Sequence, residues 1–147
     1  MVDKEIGFLL VEDNQGDADL AMRALRKKCP DQSVVHVKNG EEALDFIFCK
    51  GAYTGRNRHN QAAVILLDLS MPKVGGIEVL RAIKADRDTE WIPVVVLTSS
   101  NDDRDVETCY ALGANSYVVK PVNFDSYIRA VGDIAHYWQL VNRPRSR

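Results

Sequence analysis

Four short apolar runs in this chain end on side chains that can do chemistry. Ile6 to Val11 is followed by Glu12 and Asp13, Val64 to Leu67 by Asp68, Val94 to Leu97 by Thr98 and Ser99, and Tyr117 to Val119 by Lys120 and Pro121. Taken singly, each is ordinary, because acidic and hydroxyl residues after a strand are common caps and turn formers. Side by side, they would bring three carboxylates, a hydroxyl and an ammonium into one cleft. Glu12, Asp13 and Asp68 would then repel one another unless something positive sat among them. An all-oxygen donor set suits a hard cation, and Mg²⁺ binds through one or two carboxylates together with waters and phosphate oxygens. Zinc does not fit, since His36, His59 and His136 are scattered and no Cys–His ligand spacing exists. Lys120 supplies a point charge that would hold Asp68 ionised and follow its charge on modification. Thr98 supplies a donor for an incoming anionic oxygen. A carboxylate nucleophile, a metal and cationic or hydroxyl clamps are what phosphoryl transfer to an acyl phosphate requires.

The surrounding pattern provides the side-by-side arrangement. A further apolar run, Val34 to Val37, reads as a strand. Between the strands lie segments of helical period: Leu20, Ala21, Ala24 and Leu25; Ala43, Leu44, Ile47 and Phe48; Ile77, Leu80 and Ile83; Val106, Cys109, Tyr110 and Leu112; and Phe124, Ile128, Val131, Ala135 and Trp138. Strand and helix alternate five times, which predicts a doubly wound (βα)5 α/β fold with a parallel sheet covered on both faces. In such sheets ligands bind beyond the carboxyl ends of the strands, where the reactive residues stand. The polar, basic stretch from Gly51 to Ala62 is expected to be a surface loop.

Composition narrows the class. The 147 residues fit one domain, with a core expected over about residues 6–138 and a frayed tail over 139–147. A net charge of −2 gives no reason to expect nucleic acid or an anionic membrane as partner, and the arginines of the tail read as solvated. Cys29, Cys49 and Cys109 are odd in number and far apart, which fits reduced thiols. The N-terminal apolar run Phe8 to Val11 is far too short for a signal or membrane segment, so the cytoplasm is the expected location.

The constellation resembles the receiver domain of two-component response regulators. The resemblance is carried by Leu9-Leu10-Val11-Glu12-Asp13-Asn14, by Leu66-Leu67-Asp68-Leu69-Ser70-Met71-Pro72, by Val96-Leu97-Thr98-Ser99-Ser100 and by Tyr117-Val118-Val119-Lys120-Pro121, with matching gaps between them. It implies a flavodoxin-like fold with strand order 2-1-3-4-5. It implies that Asp68 takes a phosphoryl group from a kinase histidine. Mg²⁺ would be held by Glu12, Asp13, Asp68 and the backbone carbonyl of Ser70, with Asp13 ligating directly and Glu12 mainly through water. Thr98 and Lys120 would bind the phosphoryl oxygens, Thr98 and Tyr117 would form the conformational switch, and the bond before Pro121 would be cis. Gly75 departs from the family's frequent aspartate and is expected to weaken the cap of the third helix slightly. Ser70, Ser99 and Ser100 fall where the family varies, at positions thought to tune dephosphorylation.

Few residues follow Lys120, so the expected output is protein–protein contact or onward phosphotransfer rather than a fused effector domain. The Gly51–Ala62 loop and the Tyr137-Trp138 pair resemble the small stand-alone regulators that serve phytochrome kinases, which implies a sensor histidine kinase partner, a phytochrome kinase in the narrower case, and a homodimer through the fourth-helix to fifth-helix face. Three other classes stay open. A non-phosphorylated pseudo-receiver would bind partners without chemistry, and would take no label from an acyl-phosphate donor. A phosphohydrolase would commonly carry a second acid two residues after its nucleophile, where this chain has Ser70. A flavodoxin-like carrier would be coloured.

Overall fold

The computed structural model describes residues 4–145; Met1, Val2 and Asp3, and the Ser146-Arg147 end of the expected tail, lie outside the described residues. The elements alternate as β1 (Phe8–Val11), α1 (Gln15–Lys28), β2 (Val34–Val37), α2 (Gly40–Ile47), β3 (Val64–Leu67), α3 (Gly76–Ala85), β4 (Val94–Thr98), α4 (Asp103–Leu112), β5 (Ser116–Val119) and α5 (Phe124–His136). The five strands form one parallel sheet in the order β2-β1-β3-β4-β5, as the resemblance implied.

The sheet sits between two apolar layers because β1 and β3 are apolar at every position and β4 at every position but its last, Thr98. Leu9, Val11, Ile65, Leu67, Val94 and Val96 face a core completed by α2, α3 and α4. Phe8, Leu10, Val64, Leu66, Val95 and Leu97 face a second core completed by α1 and α5. Alternate residues of a strand point to opposite faces, so an unbroken apolar run feeds both layers. Each fully buried Leu, Ile or Phe stabilises by about 1.5–3 kcal/mol.

Helix starts follow local chemistry. Asn14, Asn39, Asp102 and Asn123 cap α1, α2, α4 and α5 by accepting a backbone N–H through their side chains. Helix α3 has Gly75 as its N-cap and so no side-chain cap, as expected. Its first residue, Gly76, matters for space instead, since a Cβ there would stand 2.2 Å from the Asp68 carbonyl oxygen. Only glycine lets α3 pack this closely on the β3 exit.

The structure departs from the expectations in detail. Strand β1 starts at Phe8, although Ile6 is buried in the same core. The Gly51–Ala62 connection opens with a 3-10 turn at Gly51–Tyr53 and is tied down rather than loose. Arg56 Nε donates to the Phe46 carbonyl at 3.1 Å, and its guanidinium stacks 3.7 Å from the Phe46 ring centroid. Buried Gln61 donates to the Ile47 and Arg58 carbonyls. Some of the basic side chains of this loop therefore fasten it to its neighbours. Beyond α5 a π turn runs over Tyr137–Val141, and Gln139 Nε2 donates to the Gly7 carbonyl at 2.8 Å. Every peptide bond among the described residues is trans. That includes the bond before Pro121, where the resemblance implied cis; trans is the lower-energy form of an X–Pro bond. No helix among the described residues is long and apolar enough to cross a membrane.

Candidate functional site

Parallel register aligns the strand ends and so brings the reactive residues to one edge. Val11 pairs with Leu67, and Thr98 with Val119. The residues that follow are tied to the neighbouring strand by backbone hydrogen bonds: Glu12 N to Val37 O at 3.1 Å, Asp68 N to Val11 O at 3.1 Å, and Lys120 N to Thr98 O at 2.7 Å. Glu12, Asp68, Thr98 and Lys120 are thus fixed by the sheet itself, while Asp13 lies one residue beyond it and is exposed.

Glu12, Asp13 and Asp68 each offer a carboxylate oxygen, and the three oxygens lie within 4.8 Å of one another. Glu12 and Asp68 are buried. Burial pushes the Glu12 carboxyl up, to about 8; the Lys120 ammonium opposes this, and the neighbouring Asp68 adds to it. The cluster therefore carries electrostatic repulsion that a cation relieves, and its hard oxygen donors fit a divalent ion. Ser70 stands two residues after Asp68, exposed, with its N–H directed at Asp68 Oδ1 at 3.4 Å.

Lys120 reaches into the cluster from the end of β5. Its Nζ donates to Glu12 Oε1, to Asp17 Oδ2 at 2.9 Å and to Asp68 Oδ2 at 3.5 Å. Burial alone would lower its pKa, but bonds to Glu12 and Asp17 and the charge of Asp68 outweigh that and hold the ammonium above the usual lysine range. Tyr127 of α5 stands beside this network, its hydroxyl donating to the Asp17 carbonyl at 3.4 Å. Burial raises its phenol well above the ordinary value.

Thr98, at the end of β4, is fully buried. Its Oγ1 accepts from the Ser100 N–H at 3.4 Å, and the Tyr117 hydroxyl donates to the Ser100 carbonyl at 2.9 Å. Both residues expected to form the switch therefore bond to Ser100, one on each side of that residue's backbone. Ser100 is held in turn by its hydroxyl, which donates to Asp105 of α4 at 2.6 Å.

Of the side chains singled out from the sequence, Glu12, Asp13, Asp68 and Lys120 come together in one group, while Thr98 and Tyr117 meet at the Ser100 backbone. The sequence did not point to Asp17, Tyr127 or His36. Asp17 sits in the first turn of α1, where an acid is expected for capping and dipole reasons alone. His36 Nε2 lies 2.8 Å from the Glu12 carbonyl, although its spacing from other ligand types carried no signal.

Comparison with known proteins agrees with this geometry. The family described as "Response regulator receiver domain" matches residues 8–132. The probable methanogenesis regulatory protein FilR2 of Methanothrix harundinacea is 40% identical over 136 residues, covering 92% of this chain and 85% of that protein. The crystal structure of the phosphorylated cyanobacterial phytochrome response regulator RcpA superposes with a TM-score of 0.90 at 35% identity, covering 97% of this chain and all of that one. That of the Mn²⁺-bound form of response regulator Rcp1 gives 0.88 at 34% identity, covering 96% and 99% of the two chains. With the sheet order, the acidic cluster and these likenesses in agreement, the chain belongs to the response regulator receiver domains of two-component systems, with phytochrome-associated regulators among its relatives.

Proposed function

We propose that Asp68 accepts a phosphoryl group from the phosphohistidine of a sensor kinase, with Mg²⁺ held by Glu12, Asp13, Asp68 and the Ser70 carbonyl. The observation that carries this reading is the position of Asp68: a buried carboxylate at a strand end, 3.5 Å from Lys120 and within 4.8 Å of two further acids. An Asp68 oxygen attacks phosphorus, the P–N bond breaks, and its electron pair stays on the ring nitrogen, so the kinase histidine leaves as neutral imidazole with the proton of its other nitrogen kept. An acyl phosphate results. When bound, Mg²⁺ supplies neutralisation of the anionic oxygens; the Mn²⁺-bound form of Rcp1 supports a divalent ion here. Lys120 and Thr98 then donate to the phosphoryl oxygens.

The signal follows from the shared Ser100 backbone. Moving Thr98 toward a phosphoryl oxygen disturbs the bond from Ser100, and the Tyr117 hydroxyl loses its fixed acceptor. Shifting such a two-state equilibrium from 1:99 to 99:1 takes about 5.5 kcal/mol of differential interaction. Output passes through the α4–β5–α5 face, where Tyr110, Val122 and Phe124 are exposed, to a downstream protein or a second copy of the chain. Likeness to RcpA supports a phytochrome kinase as the phosphoryl source. The free cysteines Cys29, Cys49 and Cys109 are consistent with the cytoplasm.

Incubation with labelled acetyl phosphate tests the reading. Label is expected with Mg²⁺, and is expected to vanish on chelation and in Asp68→Asn. Unchanged labelling of Asp68→Asn would refute it.

A further inference from the structure

Lys120 has three N–H donors and no acceptor, and the cleft offers it three carboxylates. Glu12 takes one donor and Asp17 Oδ2 another at 2.9 Å, while Asp68 Oδ2 is the most distant at 3.5 Å. The ammonium therefore rests closer to Asp17 than to the residue it is expected to serve. Two elements fix Asp17 there. Its N–H donates to Asn14 Oδ1 at 2.9 Å, the N-cap of α1, and its carbonyl accepts from Tyr127 of α5 at 3.4 Å.

The three partners differ in how easily they let go. The side chains of Glu12, Asp68 and Lys120 are 2%, 7% and 7% exposed, and that of Asp17 is 34% exposed. Glu12 cannot leave the ammonium without leaving a buried polar group unpaired. Asp17 can turn into water, where its carboxylate is solvated at small cost. Of the contacts that hold Lys120 in place, the one to Asp17 is the one built to be exchanged.

We infer that Asp17 is a positioning residue whose carboxylate holds Lys120 back from Asp68 in the resting protein and releases it when a phosphoryl group arrives. The exchange breaks one N–H···O bond and makes another; Lys120 keeps all its protons and no covalent bond changes. The Asp17–Lys120 pair thereby sets how readily Asp68 is occupied. This rests on the reading of Asp68 as phosphoacceptor.

Calorimetric titration of the full chain with beryllofluoride in saturating Mg²⁺ tests it. Asp17→Asn keeps the size and an acceptor oxygen but removes the charge. Because charge-assisted bonds are about twice as strong as neutral ones, the Kd for beryllofluoride is expected to fall about fivefold. Asp17→Glu restores the carboxylate and is expected to return the Kd to near the parent value. Asp19→Asn makes the same change of charge on the same helix, where the side chain accepts from Gln15 at 2.7 Å instead, and is expected to leave the Kd unchanged. In a Lys120→Met background Asp17→Asn is expected to have no effect; should that background fail to fold, the other three variants decide. An unaltered Kd in Asp17→Asn would overturn the inference. So would an equal gain in Asp19→Asn, or a gain that persists without Lys120, since either means general charge rather than the ion pair. Failure of the parent protein to bind beryllofluoride at all would instead remove the Asp68 reading, and this inference with it.

Discussion

The centre of the sheet and its β5 edge are built to different standards. Every residue of β1 and β3 is buried. In β5 three of four residues are half-buried and Val119 is exposed, while α4 buries only Cys109. Opposite them, α1 buries Ala18, Ala21, Ala24 and Leu25, and α5 buries Tyr127, Val131, Ile134 and Ala135. The centre carries Glu12 and Asp68, whose chemistry depends on fixed geometry. The edge carries Tyr117 and lies beside α4, and this is the part proposed to change shape. A segment with little buried apolar surface has little to lose on rearrangement. Strand β4 joins the two: it is buried throughout and ends in Thr98, which hydrogen-bonds to Ser100 on the way to α4.

Substitutions on either side test this contrast. The largest effect is expected at the centre. Leu66→Ala, at a fully buried position of β3, is expected to cost about 2–5 kcal/mol in urea unfolding, through lost burial and the cavity left behind. Val118→Ala, half-buried in β5, is expected to cost about 1 kcal/mol or less. Equal costs would erase the distinction. Next comes Tyr117→Phe, which deletes the bond to the Ser100 carbonyl; a loss of about 1 kcal/mol is expected, with labelling of Asp68 retained. Loss of labelling there would tie the edge to the chemistry rather than to the response. The smallest effect is expected at Gly75, which has extended backbone angles and room for a Cβ, its nearest neighbour being Leu69 O at 3.5 Å. Gly75→Asn is expected to stabilise by about 0.3 kcal/mol by capping α3, read as a small rise in urea midpoint.

The same contrast explains what was legible in the sequence. The fully buried strands announce themselves as unbroken apolar runs: Val64–Leu67 is found with its expected limits, and β4 extends only to Thr98. Residues directly after a strand inherit their position from it, so Glu12, Asp68, Thr98 and Lys120 could be placed together from order alone. The contacts of Asp17 could not. It is joined to Lys120 across more than a hundred positions by side-chain geometry, and its local setting in a helix first turn explains its identity without any such partner. The turns beyond α2 and α5 were hidden for a different reason. They are shaped by tertiary anchors such as Arg56 on Phe46 and Gln139 on Gly7, which leave no periodic trace.

The most direct measurement is the location of the phosphoryl group itself. After reaction with acetyl phosphate and Mg²⁺, borohydride reduction converts an acyl-phosphorylated aspartate to homoserine, which mass spectrometry assigns to a position. Conversion of Asp68 alone is the predicted result. Homoserine at Asp13 or Asp17 in its place, reduction of Glu12 to the five-carbon hydroxy amino acid, or no reduced residue at all would contradict the account.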